Sequence, residues 1–193
     1  MPLKKQGVAT SDIVWAFHSE SQEDLLNLIP AYQKNEMTWN LMRELGVGWW
    51  LRSNSAFKTC MEKIGKYAFQ KNQDPMDAAI FYLAMKKKTL LWGLYRSKRD
   101  EKMALFFAND FSQERWRKAA LKNAYALLGK QRFDHAAAFF LLAGSLKDAV
   151  EVCLNKLKDI QLALAVARLY EGRDLEPTPP TVKTLLQEVC FCL

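Results

Sequence analysis

Residues 113–128 read QERWRKAALKNAYALL, and in this stretch Trp116, Ala120, Ala124, Leu127 and Leu128 recur at helical spacing. Arg115, Lys118 and Lys122 fall on another side, so the segment describes an amphipathic helix. Ser112 stands before it as an N-cap and Gly129 after it as the residue that ends it. The rest of the chain speaks the same language. Its 193 residues include 22 Ala and 27 Leu, whereas Val, Ile and Thr together number only 20. Straight-chain residues and Ala favour helix and β-branched ones favour strand, and strict apolar–polar alternation between turn signals is missing. The expected fold class is all-α.

Short breaks punctuate the string of helices at Pro30, Gly46-Val47-Gly48, Asp74-Pro75, 97–100, 129–132, Gly144-Ser145 and Gly172. Two segments resemble each other: DAAIFYLAM at 77–85 and HAAAFFLLA at 135–143, with a third version at 159–165, DIQLALA. In the first two, alanines lead into bulky apolar residues. Small residues let helices approach closely and large ones fill the space between pairs, so the expected architecture is an irregular α-solenoid of stacked helical hairpins. Residues 1–10 are expected to be a disordered N-terminus and 11–173 the solenoid. Residues 174–193 are expected to form a poorly ordered, Pro-rich tail, because LEPTPP at 175–180 cannot continue a helix.

Charge is distributed unevenly. The net charge is +7, from 28 Lys and Arg against 21 Asp and Glu. Residues 58–132 hold 17 of the cations and only 7 of the acids, while the segments on either side are mildly acidic. Such a block speaks to partners and not to fold.

Several function classes drop out. No apolar run approaches the roughly 18 residues that cross a bilayer, and MPLKKQ at the start is not a secretory signal. Four cysteines in this length do not make a disulfide framework, which leads us to expect a reduced, cytoplasmic protein. HExxH, GxSxG and GxxxxGK[ST] are absent, and the two histidines, His18 and His135, have no Cys, Asp or Glu at ligand spacing. Cys60 and Cys153 read as buried structural residues. The expectation is no enzyme activity, no metal, no cofactor and no small-molecule substrate.

Three features remain. The cluster Trp39, Trp49, Trp50 with Arg52 combines residue types that dominate binding hot spots, and adjacent tryptophans on a helix cannot face the same way. Trp50 and Arg52 are taken as candidates, although core filling is the stronger use of these rings. Next come the cations Lys86, Lys87, Lys88, Arg96, Lys98, Arg99, Arg115, Arg117 and Lys118. Hairpin geometry places the two ends of the helix at 88–97 on opposite edges, giving two basic rims that suit an acidic protein face. The aromatics of that helix, Trp92 and Tyr95, sit at core spacing with Leu90, Leu91 and Leu94, which disfavours nucleic acid. Last, CFCL at 190–193 has the form of a prenylation signal, but Phe-Cys is a poor middle pair and no basic stretch lies just upstream, so the match is read as coincidence.

The stretches WAFHSESQEDLLNLIP at 15–30, TWNLMRELGVGWWLR at 38–52 and DAAIFYLAMKKKTLLWGLYR at 77–96 resemble the helical region of the Dmx-like, or rabconnectin-3, family. So do 100–133 and 136–172, in the same order. That family is the metazoan counterpart of the large RAVE-complex subunit. The resemblance implies a non-catalytic scaffold that promotes assembly of the vacuolar proton pump (V-ATPase). It also implies partners among the pump's catalytic-sector subunits and a smaller WD-repeat RAVE-type protein, with peripheral association to endosomal or synaptic vesicles. The chain contains no Trp-Asp dipeptide, so only the helical part of such a scaffold is expected here, as a fragment or splice form that departs from the family after Gly172. Competing readings are a basic module for nucleic acid or anionic membrane, and an inert spacer between WD-repeat propellers.

Overall fold

Apolar burial at helical spacing organises the chain into helices throughout. The computed structural model describes residues 9–172 and 180–191, and no strand occurs among them. The N-terminal third consists of short helices: α1 (Thr10–His18), α2 (Gln22–Asn27), α3 (Pro30–Gln33), α4 (Trp39–Glu44) and α5 (Val47–Trp50). Then follow α6 (Asn54–Asn72), a 3-10 turn (Pro75–Ala78), α7 (Ala79–Ala84), α8 (Lys88–Ser97) and α9 (Glu101–Ala108). The last third holds α10 (Glu114–Gly129), α11 (Phe133–Leu142), α12 (Leu146–Asn155), α13 (Ile160–Glu171) and α14 (Pro180–Phe191).

The three look-alike segments become the interior helices. Every residue of α7 is buried, as are 136–142 of α11 and 161–167 of α13. α7 packs against both α11 and α13, and α11 also packs against α10 and α12. Alanine at 78, 79, 84, 136, 137, 138, 163, 165 and 167 permits the close approach, and Phe81, Phe139, Phe140 and Leu164 fill what remains. In a one-dimensional stack each hairpin touches only its chain neighbours. Here α13 also meets α5, so the chain closes back on its N-terminal third.

Polar contacts hold that closure. Asp159 is 5% exposed and caps α13: one carboxylate oxygen accepts from Leu162 N–H at 2.9 Å. The other accepts from Trp39 Nε1 at 2.7 Å and Arg43 Nη1 at 3.2 Å, both on α4. Buried Gln161 accepts from Gly48 N–H at 3.1 Å and donates to Arg43 C=O at 3.1 Å. Arg168 donates to the carbonyls of Leu51 at 2.6 Å and Arg52 at 2.5 Å, and to Asn54 Oδ1 at 2.9 Å, with its guanidinium over the Phe57 ring. Each carbonyl at a chain turn thereby gains a charged donor, about the strongest class of hydrogen bond available to it.

Helix ends depart from the sequence reading in detail. α10 begins at Glu114 with Gln113, not Ser112, at the N-cap position, and it includes Gly129. The left-handed residue that ends it is Gln131, at φ 58°. Lys86, Arg99 and Gly144 play the same part after α7, α8 and α11. In each case two backbone bonds close the last turn, as in Lys86 N–H to Leu83 C=O and Lys87 N–H to Tyr82 C=O. Within the Pro-rich tail, α14 lies against α13, buries Leu185, and its Thr181 N–H donates to the Glu171 carboxylate at 2.9 Å. The CFCL end extends beyond the described residues.

Candidate functional site

The basic block resolves into separate tasks. At the α7–α8 turn three consecutive lysines reach three different elements. Lys86 lies over the Tyr170 ring of α13 at 4.5 Å, Lys87 pairs with Glu62 of α6, and Lys88 donates to the Asn109 carbonyl beyond α9 and lies 5.3 Å from the Phe111 ring. Cations here also follow helix C-termini, where they offset the exposed carbonyl ends of the peptide dipoles. Lys86 and Lys87 follow α7, and Lys98 and Arg99 follow α8. Much of the local excess is therefore explained by helix ends and inter-helix ties, and only part of it forms an open surface.

Two recesses result. One, of about 500 Å³, lies where the C-termini of α7, α11 and α13 meet and is lined by Lys86, Lys88, Asp110, Phe111, Leu142 and Tyr170. The other, of about 580 Å³, runs between α8 and α9 and is lined by Trp92, Arg96, Arg99, Glu101, Ala104 and Leu105. The Arg96 guanidinium stacks 4.8 Å from the Trp92 ring. Lys98 sits at this end too but turns to Gln73 Oε1 at 3.5 Å. Arg115, Arg117 and Lys118 ride the first turns of α10; Arg115 lies over Trp116, and Lys118 pairs with Glu114 at 2.6 Å, both well exposed. A pair in that setting contributes less than about 1 kcal/mol. The candidates thus occupy the two ends of α8 and the first turns of α10.

Trp50 requires correction. It is 1% exposed and its indole N–H donates to Leu45 C=O at 2.9 Å, so it is core and cannot touch a partner directly. Trp49, its neighbour, is the exposed member of the pair, because consecutive residues on a helix point about 100° apart. Arg52 is exposed yet occupied: its guanidinium donates to Phe17 C=O, and its backbone is held by Gln22 and Arg168. Trp92 and Leu90, read from spacing as core, are exposed, while Leu91 and Tyr95 take the buried face. Trp15, 73% exposed on α1, was not singled out by any spacing.

The chemistry-bearing groups are buried or isolated. Burial pushes the Cys60 thiol up to about 12 and raises that of Cys153, the opposite of an activated nucleophile. His135 Nε2 lies 3.7 Å from Asp77, and burial, helped by Arg132, lowers its pKa. Among the described residues no group of His, Cys, Asp and Glu is placed to hold a metal ion, and no helix is long and apolar enough to cross a membrane.

A family model described as RAVE protein 1 C terminal matches residues 2–192, which takes in the tail where the sequence reading expected the resemblance to stop. The chain is 62% identical over 170 residues to mouse DmX-like protein 1, covering 88% of this chain and 6% of that protein. It is 42% identical over 174 residues to the Saccharomyces cerevisiae regulator of V-ATPase in vacuolar membrane protein 1, covering 87% of this chain and 12% of that protein. The protein of the same name from Schizosaccharomyces pombe is 35% identical over 184 residues. The chain therefore spans a small part of the length of these relatives.

Proposed function

Because the chain belongs to the RAVE protein 1 C terminal family, we propose that it is a non-catalytic scaffold segment of a regulator of V-ATPase assembly. In this reading it binds catalytic-sector subunits of the pump or a smaller WD-repeat RAVE-type partner. Binding that is stronger to the docked arrangement of the pump than to the separated sectors shifts the population toward the assembled state. It works at the cytoplasmic face, peripherally associated with endosomal or synaptic vesicles. The observation that carries this reading is the 42% identity, over most of the chain, to a yeast protein named as a regulator of V-ATPase. Exposed Trp and Arg on α8 suit a binding segment and disfavour an inert spacer.

The test is a chimera. The matching segment of the yeast regulator is replaced by this chain, and vacuolar pH and co-sedimentation of the pump's catalytic sector with vacuolar membranes are measured. Restored acidification and co-sedimentation are expected. A stably expressed chimera that leaves the sectors apart refutes the proposal.

A further inference from the structure

The outer face of the α8–α9 hairpin carries apolar area, bare backbone and excess positive charge together. α8 turns Leu91 and Tyr95 inward, at 0% and 4% exposed. The opposite face is centred on Gly93, and a Cβ placed there would meet nothing within 4 Å. Glycine inside a helix is destabilising relative to alanine, and no internal neighbour here requires its smallness. Exposed Trp92 and Leu90 flank it at 36% and 42%, and Leu105 of α9 stands beyond Trp92 at 69%. This surface therefore has raised aromatic and aliphatic walls with a low backbone strip between them.

Charge selects the occupant. Among the described residues no carboxylate is within ion-pair distance of Arg96 or Arg99, and Lys102, on the first turn of α9, is exposed. Of the two acids that open α9, Asp100 is engaged as its cap, accepting from Met103 N–H at 3.0 Å, and Glu101 lines the recess. Arg96 lies over the Trp92 ring, and Trp and Arg are the residue types that dominate protein hot spots. Neutralising this rim takes carboxylates, and filling the strip over Gly93 takes a narrow rod with small or aliphatic side chains.

We propose that the α8–α9 face docks an amphipathic helix of a partner protein, with its apolar stripe between Trp92, Leu90 and Leu105 over Gly93 and its acidic flank on Arg96 and Arg99. This rests on the reading of the segment as a binding scaffold but not on the identity of the pump, so the two fail separately: the chimera reports on the pump, and purified components report on this face.

The experiment is fluorescence anisotropy with the 193-residue chain and two labelled helical peptides of about 20 residues, long enough to be helical alone. They share one Leu stripe and differ in Glu or Lys on the flanks. At physiological salt the Glu peptide is expected to bind about tenfold more tightly or better than the Lys peptide. Arg96→Glu with Arg99→Glu should reverse that preference, and Gly93→Leu and Trp92→Ala should each weaken binding about tenfold, with unchanged circular dichroism. Equal binding of the two peptides, or binding indifferent to Gly93→Leu, overturns the proposal. So does capture of a labelled oligonucleotide or acidic vesicles in place of the peptide, or a concentration-dependent dimer that the same variants abolish.

Discussion

Replacing Asp159 by alanine probes the joint between the N-terminal helices and α13. The buried carboxylate caps α13 through Leu162 N–H and receives the Trp39 indole N–H and the Arg43 guanidinium. Loss of the cap costs about 1 kcal/mol. Loss of a hydrogen bond to a charged acceptor, with the half-buried indole N–H left behind, costs about 2 kcal/mol. Arg43 is 47% exposed, so its ion pair adds at most a few tenths of a kcal/mol. Asp159→Ala is therefore expected to lose about 3 kcal/mol, which for a chain of this size lowers Tm by about 6–12 °C. Asp159→Asn has one acceptor oxygen, which keeps the cap but turns the amide NH2 toward the indole N–H, so it should lose about 2 kcal/mol. Urea unfolding followed by circular dichroism, with thermal melts alongside, reads both variants, and the m-value should not change. The closure through Gln161 and Arg168 remains, so helix content at room temperature should be intact. If Asp159→Ala shifts Tm by less than about 2 °C, or if the alanine and asparagine variants melt together, the joint does not carry this energy.

Two glycines should answer oppositely to alanine. At Gly48 a Cβ would come within 2.9 Å of Gln161 Cγ and displace a side chain bonded to both Gly48 N–H and Arg43 C=O; the cost of about 2–3 kcal/mol outweighs the gain of about 1 kcal/mol in helix propensity, and Tm should fall. At Gly93 the site is open, so Gly93→Ala should raise stability by up to about 1 kcal/mol in the same melts. Iodoacetamide followed by peptide mapping should leave Cys60 and Cys153 unmodified in the folded chain and label both in urea, because each thiol is buried with its pKa raised. His135 is lowered from the ordinary value near 6.5 chiefly by burial, so below that pH the unfolded chain binds the extra proton and stability falls. Arg132 adds to the lowering, while Asp74, Asp77 and Asp134 oppose it, and Asp134, raised by burial, contributes the opposite slope at lower pH. His135→Asn should accordingly lose less Tm than the parent between pH 7 and 5.5, and equal losses would exclude His135 as the cause.

Helix class was legible in the sequence because it follows from contacts three and four residues apart, which composition and periodicity record directly. The same local signal picked out the three most buried helices: Ala-Ala followed by bulky apolar residues at 78–83 and 136–141, and the alternating Ala and Leu of 162–165, mark segments with apolar side chains on every face. Family membership was legible too, since it rests on residue order alone. Tertiary packing decided the rest. Which of Trp49 and Trp50 faces solvent depends on the direction from which the neighbouring helices approach, and the chain around them does not encode that direction. Trp92 has helical core spacing yet lies exposed, because α8 turns Leu91 and Tyr95 inward, the latter onto Phe107 of α9, and leaves Trp92 on the outer side. The joint at Asp159, Gln161 and Arg168 pairs residues more than 110 positions apart, beyond the reach of any spacing rule. The cations show the division most plainly: their number is a property of the sequence, but whether a lysine ties two helices or meets a partner is set by what the fold places beside it.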